Sequence, residues 1–102
     1  MKYLFALFFM LNFNTLFSQE STASKQVSSF EINAPQLNSK KKIWIYLPKD
    51  YDSSTKKYPV IYMHDAQNLF DAKTSYVGEW NVDETLDSIN AKVIIVGIEH
   101  GG

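Results

Sequence analysis

The stretch Tyr58–Asp71, YPVIYMHDAQNLFD, decides how this chain is read. It starts as an apolar run rich in β-branched and aromatic residues, the composition of a strand. It then breaks at once into His64, Asp65, Ala66, Gln67 and Asn68. Apolar residues fall on both faces of the run, so the strand is expected inside a sheet covered by helices. The polar break is either an ordinary turn or the rim of a working site. Spacing alone favours the turn, with Asp65 capping local amides and His64 satisfying its neighbours.

Downstream, NVDETLDSIN (81–90) predicts a helix. Asn81 suits the N-cap, and Glu84 three residues on makes a capping-box-like pair. Asp83 and Glu84 in the first turn suit the helix dipole, and Val82, Leu86 and Ile89 form one apolar stripe. KVIIVGIEHGG then reads as a second strand over 92–98. Strand, helix, strand predicts a βαβ unit with parallel strands. Upstream, VSSFEIN puts Phe30 and Ile32 on one face, and KKIWIYLP alternates Ile43, Ile45 and Leu47 with Trp44 and Tyr46 before Pro48. These predict an antiparallel pair joined by a turn over 34–40, followed by a polar loop over 49–57. The fold class is therefore α/β: an antiparallel pair, then a parallel βαβ unit. Sites in such sheets lie outside the carboxyl ends of the parallel strands, where His64–Asn68 and Glu99–Gly102 fall.

The 102 residues are 45% apolar and 15% aromatic, enough for one small globular domain. A net charge of −1 argues against nucleic acid or an anionic membrane as partner. Arginine is absent, which removes bidentate anion clamps. With no cysteine, disulfides, thiolate metal sites and cysteine nucleophiles are excluded. Lys2 and the apolar block YLFALFFML read as a signal peptide over 1–18, cut near Ser18/Gln19. The block is shorter than the ~20 residues of a spanning helix, and Asn12 and Asn14 interrupt it. The expectation is a secreted or periplasmic bacterial protein with no membrane span after cleavage. Residues 19–26, QESTASKQ, read as a flexible leader, and 27–102 as the domain. One helix cannot cover both faces of an apolar sheet, so the domain is expected to be the N-terminal portion of a longer one. Oligomeric state is not legible.

His64, Asp65, Asp71, Glu79 and Asp83 could in principle hold a metal. They match neither H-E-x-x-H nor a calcium loop, so solvated carboxylates are the reading and neither metal nor cofactor is expected. No serine stands in G-x-S-x-G, and the one other histidine is His100. Trp80, beside the helix N-cap, either packs or walls a pocket. A different class of function is also open: Trp44, Tyr46 and Trp80, if exposed, could stack on sugars in a non-catalytic secreted module. A truncated product with no activity of its own is the third reading.

Three segments together, IWIYLPKDYD…KKYPVIYMHDAQNLFD, GEWNVDETLDSI and VIIVGIEHGG, resemble the putative-esterase family of α/β-hydrolases. That family includes enterochelin, feruloyl and acetyl-xylan esterases, S-formylglutathione hydrolases and mycolyltransferases. The resemblance covers nearly everything after about residue 40. It implies an α/β-hydrolase sheet, a Ser–His–acid triad lying beyond Gly102, and a small-molecule or carbohydrate-linked ester as substrate. It also implies that the loop after the third strand supplies an oxyanion-hole amide, here that of Gln67, with His64, Asp65, Ala66 and Trp80 shaping the substrate side. Many relatives carry glycine where this chain has Ala66, which would matter if that position needed φ > 0.

Overall fold

The structure is a computed structural model and describes residues 20–100. The expected signal segment and Gly101–Gly102 lie outside the described residues. Among the described residues no helix is long and apolar enough to cross a membrane.

Four strands form one mixed sheet. β1 (Val27–Ala34) and β2 (Ser39–Tyr46) pair antiparallel, Val27 opposite Tyr46 and Ala34 opposite Ser39. The connection is a 3₁₀ turn, Pro35–Leu37, with Pro at its start and Asn38 in the left-handed region at φ 51°. Proline pre-sets φ for the first position, and asparagine tolerates αL, so the turn chemistry matches its sequence. β3 (Val60–His64) leads through the polar segment to helix α1 (Val82–Ser88) and then β4 (Ile94–Ile98). β3 and β4 are parallel, Val60 opposite Ile94 and His64 opposite Ile98. β4 inserts between β2 and β3, giving the order β1-β2-β4-β3.

The core is built on one side of the sheet from Trp44, Tyr46, Ala66, Leu69, Phe70 and Ile95, with Val82 and Leu86 of α1 packed against it. Trp44 is 5% exposed and Tyr46 1%, and the Tyr46 hydroxyl donates to Asp87 Oδ1 of α1 at 2.6 Å. Neither ring is available to stack on a sugar, so the non-catalytic module loses two of its three aromatics.

Among the described residues β3 ends the strand order, and Val60, Ile61 and Tyr62 are exposed, the uncovered apolar surface expected of a two-sided sheet with one helix. Two local expectations are corrected. Asn81 occupies the N-cap of α1 but is left-handed at φ 56°, and its side chain makes no capping bond. The first-turn donor is satisfied through tertiary structure instead: Val82 N–H donates to Leu69 O at 2.9 Å. Ile89 is the C-cap, one residue past the end of the helix, and stays exposed.

Residues 20–26, expected as a flexible leader, lie along the carboxylates of the 71–83 segment as a strap. Ser21 Oγ donates to Asp71 Oδ2 at 2.6 Å and Thr22 N–H to Asp71 Oδ1 at 3.0 Å. Ser24 N–H donates to Asp83 Oδ2 at 2.7 Å. The Thr22 hydroxyl binds Glu79 Oε1 and accepts from Ala72 N–H. The small polar residues that make a good linker also make a good set of donors.

Candidate functional site

The polar segment after β3 is a tight, well-anchored turn. His64 closes the strand in register with Ile98 and is exposed. Asp65 then takes φ 57°, ψ 42° and reverses the chain. Aspartate is among the few non-glycine residues that visit this region readily. The 3₁₀ turn Ala66–Asn68 follows, closed by Asn68 N–H to Asp65 O at 2.9 Å and Leu69 N–H to Ala66 O at 3.2 Å. Leu69 and Phe70, both 0% exposed, anchor its far end in the core.

Ala66 is not the strained position. Positive φ falls one residue earlier, at Asp65, and Ala66 is outside the left-handed region. What constrains Ala66 is packing. It is buried against Gly97 of β4, where an added Cβ would stand 2.8 Å from the Ala66 Cβ. The turn thus lies almost directly on the strand backbone, and glycine at 97 permits it.

Gln67, only 2% exposed, is held at both ends. Its side-chain Oε1 accepts His100 N–H from the end of β4 at 2.8 Å, and its backbone carbonyl accepts the Thr74 hydroxyl at 2.8 Å. Among the described residues, no hydrogen bond engages the Gln67 backbone N–H. The Asp65 carboxylate stands 3.8 Å from His100 Nδ1, both side chains about half exposed. The parallel strands therefore bring 64–67 and 100 to one edge of the sheet.

Trp80 joins this edge through Asn68. Asn68 Oδ1 accepts Tyr76 N–H at 2.9 Å and Ser75 Oγ at 3.2 Å, while its carbonyl accepts Trp80 N–H at 2.7 Å. The Trp80 ring remains half exposed beside exposed Tyr76 and Val77. Thr74 and Gly97 were missed as site-building residues by sequence reasoning, while Asn68 and His100 were placed at the strand ends without a role. Asn68 offered a signal: a polar side chain set directly before the buried pair Leu69–Phe70 needs a partner.

The carboxylates weighed as one metal set do not form one. His64 and Asp65 end β3, whereas Asp71, Glu79 and Asp83 all accept from the strap. Burial raises the Asp71 carboxyl, but hydrogen bonds from Ser21, Thr22 and Lys73 outweigh it and hold the group below the usual range. For Asp83 burial wins. Its carboxyl is pushed up, the Ser24 and Glu84 amides oppose the shift, and the charge of Glu79 adds to it. A cleft of about 370 Å³ lies between strap and sheet, lined in part by Ser21, Val27, Lys42, Trp44, Asp71 and Thr74, the last of which also bonds the Gln67 carbonyl.

The fold has counterparts. The family model described as "Putative esterase" matches residues 34–102. The chain belongs to this esterase family. A solved structure described as an IroE-like serine hydrolase from Shewanella oneidensis is 27% identical, with a TM-score of 0.57 over 72% of this chain and 23% of that one. One described as a ferulic acid esterase is 26% identical, with a TM-score of 0.55 over 74% of this chain and 31% of that one. This chain thus spans less than a third of either structure. No curated protein matches it. The mixed sheet β1-β2-β4-β3, antiparallel then parallel, is the opening of an α/β-hydrolase fold.

Proposed function

We propose that this chain is the N-terminal part of an exported serine carboxylic-ester hydrolase, and that its contribution to catalysis is the Gln67 backbone N–H as one arm of an oxyanion hole. The observation that carries this reading is the unengaged Gln67 amide in a turn fixed on every side. A backbone N–H withdrawn from water and left without an acceptor is costly, and folded proteins rarely keep one without use. In an acyl-transfer site its acceptor is the oxygen of the tetrahedral intermediate. Preorganisation matters because a donor already in place needs no reorganisation as negative charge develops there.

The other members of the turn act on geometry. Asp65 absorbs the left-handed reversal, Ala66 seats the turn on Gly97, and the Gln67 side chain ties it to the end of β4. His64 and Trp80 flank the place where an ester would approach. The nucleophile and its base are assigned to sequence beyond Gly102, since no G-x-S-x-G occurs here. The substrate is a small-molecule or carbohydrate-linked ester. Export rests on the Lys2-led apolar segment.

The test compares hydrolysis of p-nitrophenyl acetate by residues 1–102 with that by the same chain extended through its downstream reading frame. The extended protein turns over and is blocked by a serine-directed fluorophosphonate, while 1–102 stays at background. An extended protein with no G-x-S-x-G-like elbow, or burst release of nitrophenol by 1–102 alone, contradicts the proposal.

A further inference from the structure

Three carboxylates meet around the start of α1. Glu79, Asp83 and Glu84 each offer an oxygen, and these oxygens all lie within 4.8 Å of one another. Glutamate and aspartate crowd the first turn of many helices, so convergence alone decides nothing. The decisive feature is what the oxygens lack. Asp83 is 0% exposed; its Oδ2 accepts Ser24 N–H, while its Oδ1 is buried without a partner. Glu79 repeats the pattern: Oε1 is bound by the Thr22 hydroxyl, and Oε2 is buried without a partner. No lysine or histidine forms an ion pair with any of the three among the described residues, whose ion pairs are Lys92–Asp50 and His100–Asp65.

A buried carboxylate oxygen must be protonated, hydrogen-bonded or metal-bound. One shared proton could satisfy the buried pair, Asp83 and Glu79. A cation satisfies the same pair and also accounts for the exposed Glu84 oxygen that converges on it.

We propose that Glu79, Asp83 and Glu84 form a calcium site. All-oxygen ligation selects a hard cation. Three protein carboxylates converging on one partly buried position suit Ca²⁺, which takes many oxygen ligands in flexible geometry, better than Mg²⁺, which keeps several waters and is usually held by one or two carboxylates. Glu84 is exposed, so the open side of the ion takes water. The bound ion joins three things: the start of α1, the residue preceding Trp80, and, through Thr22 and Ser24, the strap. Its role is structural and does not depend on the esterase reading.

Terbium replaces calcium at oxygen sites, and Trp80 adjoins Glu79, so the probe is Tb³⁺ luminescence sensitised by tryptophan in the full chain. The expected result is one saturable Tb³⁺ site displaced by Ca²⁺ with a Kd of about 10⁻⁴–10⁻³ M, and at least ten-fold more weakly by Mg²⁺. Glu84→Gln, an exposed change that leaves the fold intact, weakens Ca²⁺ about ten-fold or more and abolishes the rise in Tm that Ca²⁺ gives the parent protein. Three results overturn the proposal: no Ca²⁺-dependent rise in Tm at about 10 mM, at least ten times the expected Kd; an equal rise in Glu84→Gln; or stabilisation by acid alone with no response to Ca²⁺, which would assign a shared proton to Glu79 and Asp83.

Discussion

Gly97→Ala is the sharpest structural test of how the Gln67 turn is held. A Cβ at residue 97 would meet the Ala66 Cβ at 2.8 Å, the Leu69 Cδ1 at 3.5 Å and the Phe70 Cε2 at 3.6 Å. The last two are ordinary contacts. The first falls short of normal carbon–carbon separation, about 3.5–4.0 Å, by roughly an ångström. Ala66 cannot swing away by rotating a side chain, because its Cβ is fixed to a 3₁₀ turn anchored by Leu69 and Phe70. The turn must lift off β4 or the strand must bend. Overpacking of this kind costs about 1–3 kcal/mol. At about 4–8 °C per kcal/mol for a domain of this size, the Tm falls by roughly 4–24 °C. Ala66→Gly removes the colliding atom, so the double variant should recover at least about 1 kcal/mol relative to the sum of the singles. Thermal and urea melts of the four proteins measure this. A neutral Gly97→Ala, or a double variant whose effects simply add, would refute the claim that the turn rests on Gly97.

Other consequences follow from single contacts. Asn68→Ala removes the acceptor for Tyr76 and Ser75 from a buried position and should cost about 1–3 kcal/mol in urea melts, with faster amide exchange at Tyr76; unchanged exchange there would mean the 72–80 loop is held otherwise. Tyr46→Phe deletes the bond to Asp87 and should cost about 1 kcal/mol. Burial first, then Asp87, raises the Tyr46 phenol far above its ordinary value. The folded state therefore holds that proton more tightly, so the stabilisation is full below about pH 10 and declines as pH rises beyond it. The phenylalanine variant should lose that alkaline slope, and an unchanged slope would assign it to other groups. Asp71 titrates in the opposite sense, its folded value lying below the usual one. Its hold on the strap is present above about pH 4 and is lost as pH falls below it, so the protection of the Thr22 amide, relative to its intrinsic exchange rate at each pH, should fall there; protection that is unchanged down to about pH 2.5 would separate the strap from Asp71.

The fold was legible where its signals are local. Strict alternation in Ile43–Leu47, turn residues at 35–38 and the helical stripe Val82–Leu86 each identify an element from its own residues. Two parallel strands followed from the helix between them. The insertion of β4 between β2 and β3 had no local signal, because an apolar strand has the same composition at a sheet edge as at its centre. The strap was illegible for the same reason: Ser21, Thr22 and Ser24 find their acceptors 50, 49 and 59 residues away. At the candidate site, the position of Gln67 in the turn was readable from the motif. The backbone detail was not. The concern over glycine against alanine at 66 disappears because Asp65 takes the left-handed conformation, and the real constraint on Ala66 comes from a strand thirty-one residues downstream in sequence.

The central claim is that the Gln67 amide waits for an oxyanion. The most direct measurement is a crystal structure of the extended protein inactivated with a phosphonate ester, whose tetrahedral oxygen stands for that of the acyl-transfer intermediate. The account predicts this oxygen about 2.7–3.1 Å from the Gln67 nitrogen, with the turn unmoved from its seat on Gly97. A phosphonate oxygen held by other donors, with the Gln67 N–H turned into the protein, would contradict it.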